Sequence, residues 1–286
     1  MIFDYILYGI ALIGLVAGSY SDLKTREVPD WLSYGMIFTG LGLRLVFSLK
    51  EFNWSIFFEG LIGFLVFVVI AYMMYYMGQW GGGDSKLLMG LGALIGLKLQ
   101  FNPLPNLGLF FLNLLIIGAV YGLIWLVMLA VLNKSKFLDE LKKQNQGLKN
   151  IKLGLLFLGI AAVVGSFLVP GLLKGLFLAI GIMPLGTMYA WMGIKSVENF
   201  AFYKQVNPKQ LTEGDWIAED VVVGGKKICG PRDLGIDQEH IAQLIKLHSQ
   251  GKVKKIKIKE GIPFVPSFLV AFLLTIIVGN WLAFLF

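Results

Sequence analysis

Apolar residues in this chain come in long runs with few polar interruptions. Each run approaches the ~20 residues that a helix needs to cross the hydrocarbon core of a bilayer. Read in order, they predict eight transmembrane helices, at 2–20, 32–49, 55–78, 87–101, 106–132, 152–169, 172–194 and 264–286. The fourth has the shortest uninterrupted apolar core, Leu87 to Leu97. The first opens on Asp4 instead of a basic stretch and is followed by no Ala-x-Ala-like site, so it reads as a retained helix and not as a cleavable signal peptide.

The pattern breaks twice. Between 196 and 262 the sequence turns mixed and rich in Lys, Asp, Glu and Gly. There Trp216 to Val223 carries strand-forming residues before Gly224-Gly225, and Asp237 to Gln250 has helical spacing of Ile241, Leu244, Ile245 and Leu247. Asp237 fits the N-cap of that helix and Gly251 its stop, and Val253 to Ile258 alternates apolar residues with Lys. Residues 133–151 form a Lys-rich loop with a short amphipathic helix around Phe137-Leu138 and Leu141. The expected fold is therefore an all-α polytopic membrane protein with about eight transmembrane helices and a small cytoplasmic α/β insertion before the last one. Its expected divisions are a membrane core at 1–132, the Lys-rich cytoplasmic loop at 133–151, an additional helix pair at 152–195, the soluble cytoplasmic module at 196–262 and a C-terminal span at 263–286.

Composition agrees: 57% hydrophobic residues, 15% charged residues and a mean hydropathy of +0.74 exclude an ordinary soluble domain. Counting alternate sides of the spans, Lys24, Arg26, Lys86, Lys134, Lys136, Lys142, Lys143, Lys149 and Lys152 share one side, against Arg44, Lys50, Lys98 and Lys174 on the other. The richer side is assigned to the cytoplasm, which puts both termini outside a plasma-membrane protein. The net charge of +7 lies largely in these loops, where it meets anionic lipid instead of nucleic acid. Cys229 is the single cysteine, so neither an intrachain disulfide nor a structural zinc site is expected; no metal or other cofactor is implied.

Two acids stand out against this background: Asp22 at the end of the first helix and Asp84 at the start of the fourth, both at the cytoplasmic level. Carboxylates so close to a bilayer are costly. The plain readings are an interfacial acid for Asp22 and a helix N-cap for Asp84. Three glycines, Gly81, Gly82 and Gly83, precede Asp84 and suit a place where another backbone lies close. Gly14, Gly18 and Asp22 follow at i+4 steps, and Gly92 and Gly96 form a second small-residue pair, which makes close packing of helices 1 and 4 available; bundle packing alone accounts for these glycines equally well. If the carboxylates meet, they share a proton, and one can activate water while the other protonates a carbonyl oxygen.

Gly81-Gly82-Gly83-Asp84 resembles the Gly-x-Gly-Asp signature of membrane aspartyl peptidases. Ser21-Asp22-Leu23-Lys24-Thr25-Arg26-Glu27-Val28-Pro29-Asp30 is similar to the segment that carries the first aspartate of prepilin peptidases, Asp-x-(Lys/Arg)-x-Arg-x-(Ile/Val)-Pro-(Asp/Asn). Presenilin-type proteases share the glycine motif but place their first aspartate in a Tyr-Asp pair, and here Ser21 separates Tyr20 from Asp22. The resemblance, over about residues 1–130, implies an archaeal prepilin or preflagellin peptidase. Such an enzyme removes short basic leaders from type IV pilin-like or archaellin precursors, with Asp22 and Asp84 as the catalytic pair. Gly81, Gly83, Lys24, Arg26 and Lys86 are then near the substrate. The four-cysteine zinc segment and methyltransferase activity of bacterial relatives have no counterpart in a chain with one cysteine.

Plainer readings stand beside these. Lys24, Arg26 and Lys86 suit headgroup anchors, Pro29-Asp30 a turn and N-cap of helix 2, and Glu59 an interfacial acid; a third catalytic acid at Asp30 is a lesser alternative. Trp54, Trp80 and Trp281 read as interface belts or lipid-facing packing, and His240 and His248 sit eight residues apart with no ligand cluster. The rival functions are an ion- or proton-coupled transporter using Asp22 and Asp84, a presenilin-like intramembrane protease, and a scaffold that docks partners on 196–262.

Overall fold

The computed structural model describes residues 2–99, 105–233 and 235–281. Its helices are α1 (Ile2–Thr25), α2 (Asp30–Lys50), α3 (Ser55–Tyr76), α4 (Gly82–Ile95), α5 (Asn106–Leu132), α6 (Lys134–Gly147), α7 (Lys149–Ser166), α8 (Leu172–Val197), α9 (Gln238–Ser249) and α10 (Val265–Val278). The strands are β1 (Tyr203–Val206), β2 (Trp216–Ile217), β3 (Val221–Val223), β4 (Lys226–Cys229) and β5 (Ile256–Lys259). The protein is a helical, multi-pass membrane protein with a small mixed insertion.

Among the described residues six helices are long and apolar enough to cross a membrane: α1, α2, α3, α5, α7 and the run 172–202 that contains α8. The other two expected spans, α4 and α10, have 14 helical residues each, about 21 Å at 1.5 Å per residue, short of a ~30 Å core. Residues 100–101 of the expected fourth span and 282–286 of the last lie outside the described residues.

The chain forms two compact units, 1–123 with 205–286, and 124–204. In the first, α4 packs against α2, α3 and α1, and α10 packs against α1. Their shared core includes Leu15, Leu32, Phe67, Leu87, Leu88, Leu91, Phe110, Val265 and Phe268. Glycines set the helix spacing: a Cβ at Gly92 would collide with the backbone of Gly63 on α3, and one at Gly14 with Met36 on α2. The Gly92–Gly96 pair thus serves the α3–α4 contact and not the expected contact with α1. Trp80 is 7% exposed and packs on Phe268, with ring centroids 5.5 Å apart, so it belongs to the core and not to an interface belt. Trp281 likewise donates its indole N–H to Asn113 at 2.8 Å.

The insertion follows its sequence signals with shorter strands than expected. β2 and β5 pair antiparallel, with Trp216 opposite Lys259, in a sheet ordered β1-β5-β2. β3 and β4 form a hairpin through Gly224 and Gly225, both at positive φ. The expected 216–223 strand is divided between β2 and β3. Asp237 caps α9 by accepting the His240 N–H at 2.7 Å, and Gly251, at φ 73°, ends the turn that follows. Leu244, Ile256, Ile258, Ile217 and Cys229 make its small core.

In the second unit α7 and α8 pack through Gly159, Ala162 and Gly181. The amphipathic helix α6 lies against α8, and Glu140 accepts from Lys143 at 2.6 Å and from Asn199 at 3.3 Å.

Candidate active site

α1 runs three residues past Asp22 and ends at Arg26, whose φ of 61° is left-handed and whose N–H returns to the Asp22 carbonyl at 2.9 Å. Two further bonds hold the turn: Ser21 Oγ donates to the Glu27 carbonyl at 2.8 Å and Thr25 Oγ1 to the Ser21 carbonyl at 2.9 Å. Pro29 is the N-cap of α2 and Asp30 its first residue, so Asp30 is not the expected cap.

α4 opens at Gly81, which is the N-cap in extended conformation, so Asp84 falls in the first turn and is not itself the cap. The three glycines are not equivalent. A Cβ at Gly83 would come within 3.0 Å of Val28 Cβ and 3.2 Å of its backbone N, whereas Gly81 and Gly82 meet only ordinary contacts. Gly83 therefore lets α4 enter against the α1–α2 turn of its own chain.

This entry fixes where the two acids stand. A Cβ at Gly18 would touch Leu87 Cδ2 at 3.6 Å. From that level Asp22 lies one turn onward along α1 and Asp84 one turn back along the oppositely directed α4. Both end up beside the α1–α2 turn, near enough for their charges to interact. Asp22 is 5% exposed and Asp84 is half-buried, so neither carboxylate is open to solvent. Two carboxylates whose charges interact do not ionise independently, so one can stay protonated while the other is ionised, an acid beside a base.

Asp22 is not the plain interfacial acid of the sequence reading. Its Oδ2 accepts the Val265 N–H at 2.8 Å at the start of α10, with Arg26 nearby and Tyr121 of α5 within electrostatic range. Arg26 donates through Nη1 to the Gly261 carbonyl at 2.6 Å, and Thr212 Oγ1 donates to Glu27 at 2.9 Å. A Cβ at Gly78 would touch Trp216 at 3.2 Å. The insertion is thus fastened to the α1–α2 turn at several points. Beneath it, burial pushes the Asp215 carboxyl up from its ordinary value, opposed by the bond from Thr212 N–H and reinforced by Glu27 and Glu260.

The basic residues take different places. Lys86 donates to both oxygens of Asp30, at 2.6 and 2.8 Å, which makes the two an ion pair. Arg26 reaches the insertion. Lys24 lies over the Tyr20 ring at 5.8 Å.

Sequence reasoning missed Arg44. It counted as an outer-side cation, yet it is 2% exposed and donates to the carbonyls of Ala93, Leu94 and Ile95 at 2.9 Å and of Ile56 at 3.1 Å. Glu59, expected at the interface, lies 3.8 Å from its Nη1. An arginine inside an apolar run, followed at a distance by a glycine-ended short helix, is the signal that was available. The bond from Val265 to Asp22 left no trace in the sequence. Among the described residues no three His, Cys, Asp or Glu side chains group to hold a metal ion.

Residues 9–127, which contain both acids and both glycine motifs, match the model of the Type IV leader peptidase family. Over 90 residues the chain is 39% identical to a preflagellin peptidase of Methanococcus voltae, covering 32% of this chain and 38% of that one. It is 34% identical over 101 residues to the preflagellin peptidase of Methanococcus maripaludis, covering 35% and 43% respectively. It is 37% identical over 86 residues to that of Methanocaldococcus jannaschii, covering 30% and 36%. The chain thus spans about two fifths of the length of these curated relatives. The insertion and α10 fall outside the family match. Both motif segments of this chain thus lie inside the stretch, residues 9–127, that is similar to the type IV leader peptidase family.

Proposed function

We propose that this protein is a membrane aspartic endopeptidase that removes the short basic leader from type IV pilin-like or archaellin precursors at the cytoplasmic face. The observation that carries the reading is the meeting of Asp22 and Asp84 at one end of α1 and α4, inside the stretch that matches leader peptidases. The Lys and Arg bias of the loops supports assigning that end to the cytoplasm.

In this mechanism one carboxylate takes a proton from water as the water attacks the scissile carbonyl carbon. The other, protonated, donates to the carbonyl oxygen, giving a neutral diol. Collapse of the diol breaks the C–N bond as the first carboxyl returns its proton to the leaving amine and the second carboxylate takes a proton back from a diol hydroxyl, leaving the carboxylic acid.

The test is leader removal from purified prepilin and prearchaellin precursors, read by mass spectrometry, with wild type, Asp22→Asn and Asp84→Asn in detergent. Cleavage at one site by wild type and by neither variant is expected. Cleavage by either variant, or none by folded wild type, would remove the reading.

A further inference from the structure

We infer that the start of α10, outside the family-matched stretch, keeps Asp22 as the ionised member of the pair, so that Asp22 is the general base and Asp84 the general acid. The inference rests on the two-carboxylate mechanism and assigns its roles.

The two acids are surrounded differently. Asp22 Oδ2 accepts the Val265 N–H at 2.8 Å, and the Phe264 amide also faces the carboxylate. These are the free amides of a helix N-terminus, which have no acceptor within their own helix and carry the positive end of its dipole. Both donate only, so they suit an acceptor without a proton. The charged and titratable groups facing Asp22 are Arg26 from the end of its own helix, Asp84 from α4 and Tyr121 from α5. Of these Arg26 alone is a cation, and its tie to the Gly261 carbonyl at 2.6 Å holds it beside the same chain segment that leads into α10. Among the described residues the Gly81 amide is the backbone donor facing Asp84, and no cation is within ion-pair distance of it.

The arrangement gives the C-terminal segment a chemical task. The insertion is fastened to the α1–α2 turn through Thr212–Glu27 and Arg26–Gly261, and the chain from Gly261 to Val265 carries that anchorage to the Asp22 carboxylate. Val265 is a positioning residue acting through its backbone, so a side-chain scan would pass over it.

The test replaces Val265 in the full-length protein by its α-hydroxy acid, turning the donating N–H into an ester oxygen. An ester at Ser267, whose N–H donates to the Phe264 carbonyl at 3.0 Å, is the control for loss of a backbone bond in the same turn. Cleavage of a prearchaellin is followed across pH. The first deprotonation of the pair sets the acid limb and the second the basic limb. The Val265 ester is expected to move the acid limb about one pH unit upward, a tenfold loss on that limb, with the plateau kept and the Ser267 ester superposed on wild type. Movement of the basic limb instead would reverse the roles, and an unmoved profile would overturn the inference while leaving the pair in place. Cleavage surviving in Asp22→Asn or Asp84→Asn, or absent from wild type, overturns both.

Discussion

Replacing Arg44 by Met keeps a long apolar stem and removes every donor of the guanidinium. α4 stops after 14 residues, and its last residues, Ala93, Leu94 and Ile95, are buried inside the bundle; Arg44 bonds the carbonyls of all three and of Ile56 besides. Gly96, at φ 71°, and Gly60 leave room for the guanidinium, since a Cβ at either would run into it. An orphaned buried carbonyl costs about 1–3 kcal/mol, so the three at the end of α4 sum to about 3–9 kcal/mol before relaxation. Removing a buried cation recovers part of its desolvation, while Glu59 is left unpaired. A net loss of about 4 kcal/mol is expected, a large share of the roughly 5–15 kcal/mol that holds a typical protein folded. The assay is reversible unfolding in mixed micelles of wild type, Arg44→Met and Arg44→Lys, with Lys retaining part of the capping and an intermediate loss. Cleavage should fall in step, because α4 also carries Asp84. An Arg44→Met protein within about 0.5 kcal/mol of wild type would refute the capping argument, since surface changes alone produce shifts of that size.

Three further outcomes follow from particular contacts. Gly83→Ala should lower cleavage at least tenfold by pressing α4 off Val28 and displacing Asp84, while Gly82→Ala stays within about threefold of wild type; equal effects would remove the packing role of Gly83. Cys229 is buried in the insertion, and burial pushes its thiol up to about 11, so maleimide should leave it unlabelled between pH 6 and 9 in the folded protein and label it after unfolding. The His240 N–H, with the His240 side chain, holds the Asp237 carboxyl below its ordinary value. Its folded value is therefore the lower one: the cap's contribution is complete above the unfolded carboxylate range and is lost as pH falls through the folded value. Hydrogen-exchange protection of α9 should decline over that acid range in wild type and be low at neutral pH in Asp237→Ala, whereas Asp237→Asn, which can still cap, should keep it without the acid dependence.

Local signals account for much of the architecture. The long apolar runs located six membrane-length helices, because a bilayer demands length and apolarity that are written residue by residue. The insertion was readable for the same reason: Asp237, Gly251 and the Gly224-Gly225 pair act on their immediate neighbours. Local signals failed where partners are distant in the chain. Glu59 and Arg44 look like interfacial charges one at a time; only when α2, α3 and α4 assemble does Arg44 become buried, with the half-buried Glu59 3.8 Å from it. Lys86 and Asp30, 56 residues apart, turn out to be each other's partner.

By itself, then, the sequence determined that the protein is a helical membrane protein, that its two acids sit at helix ends, and that their flanking motifs resemble those of leader peptidases. Tertiary structure alone decided what each acid touches. The Gly18–Leu87 level and the Gly83–Val28 contact bring Asp22 and Asp84 to one end of the bundle, and the Val265 amide reaches Asp22 from 243 residues away. The physical reason is that hydrophobicity and helix propensity act over a few residues, whereas the surroundings of a carboxylate are set by whichever backbone the packed fold delivers to it.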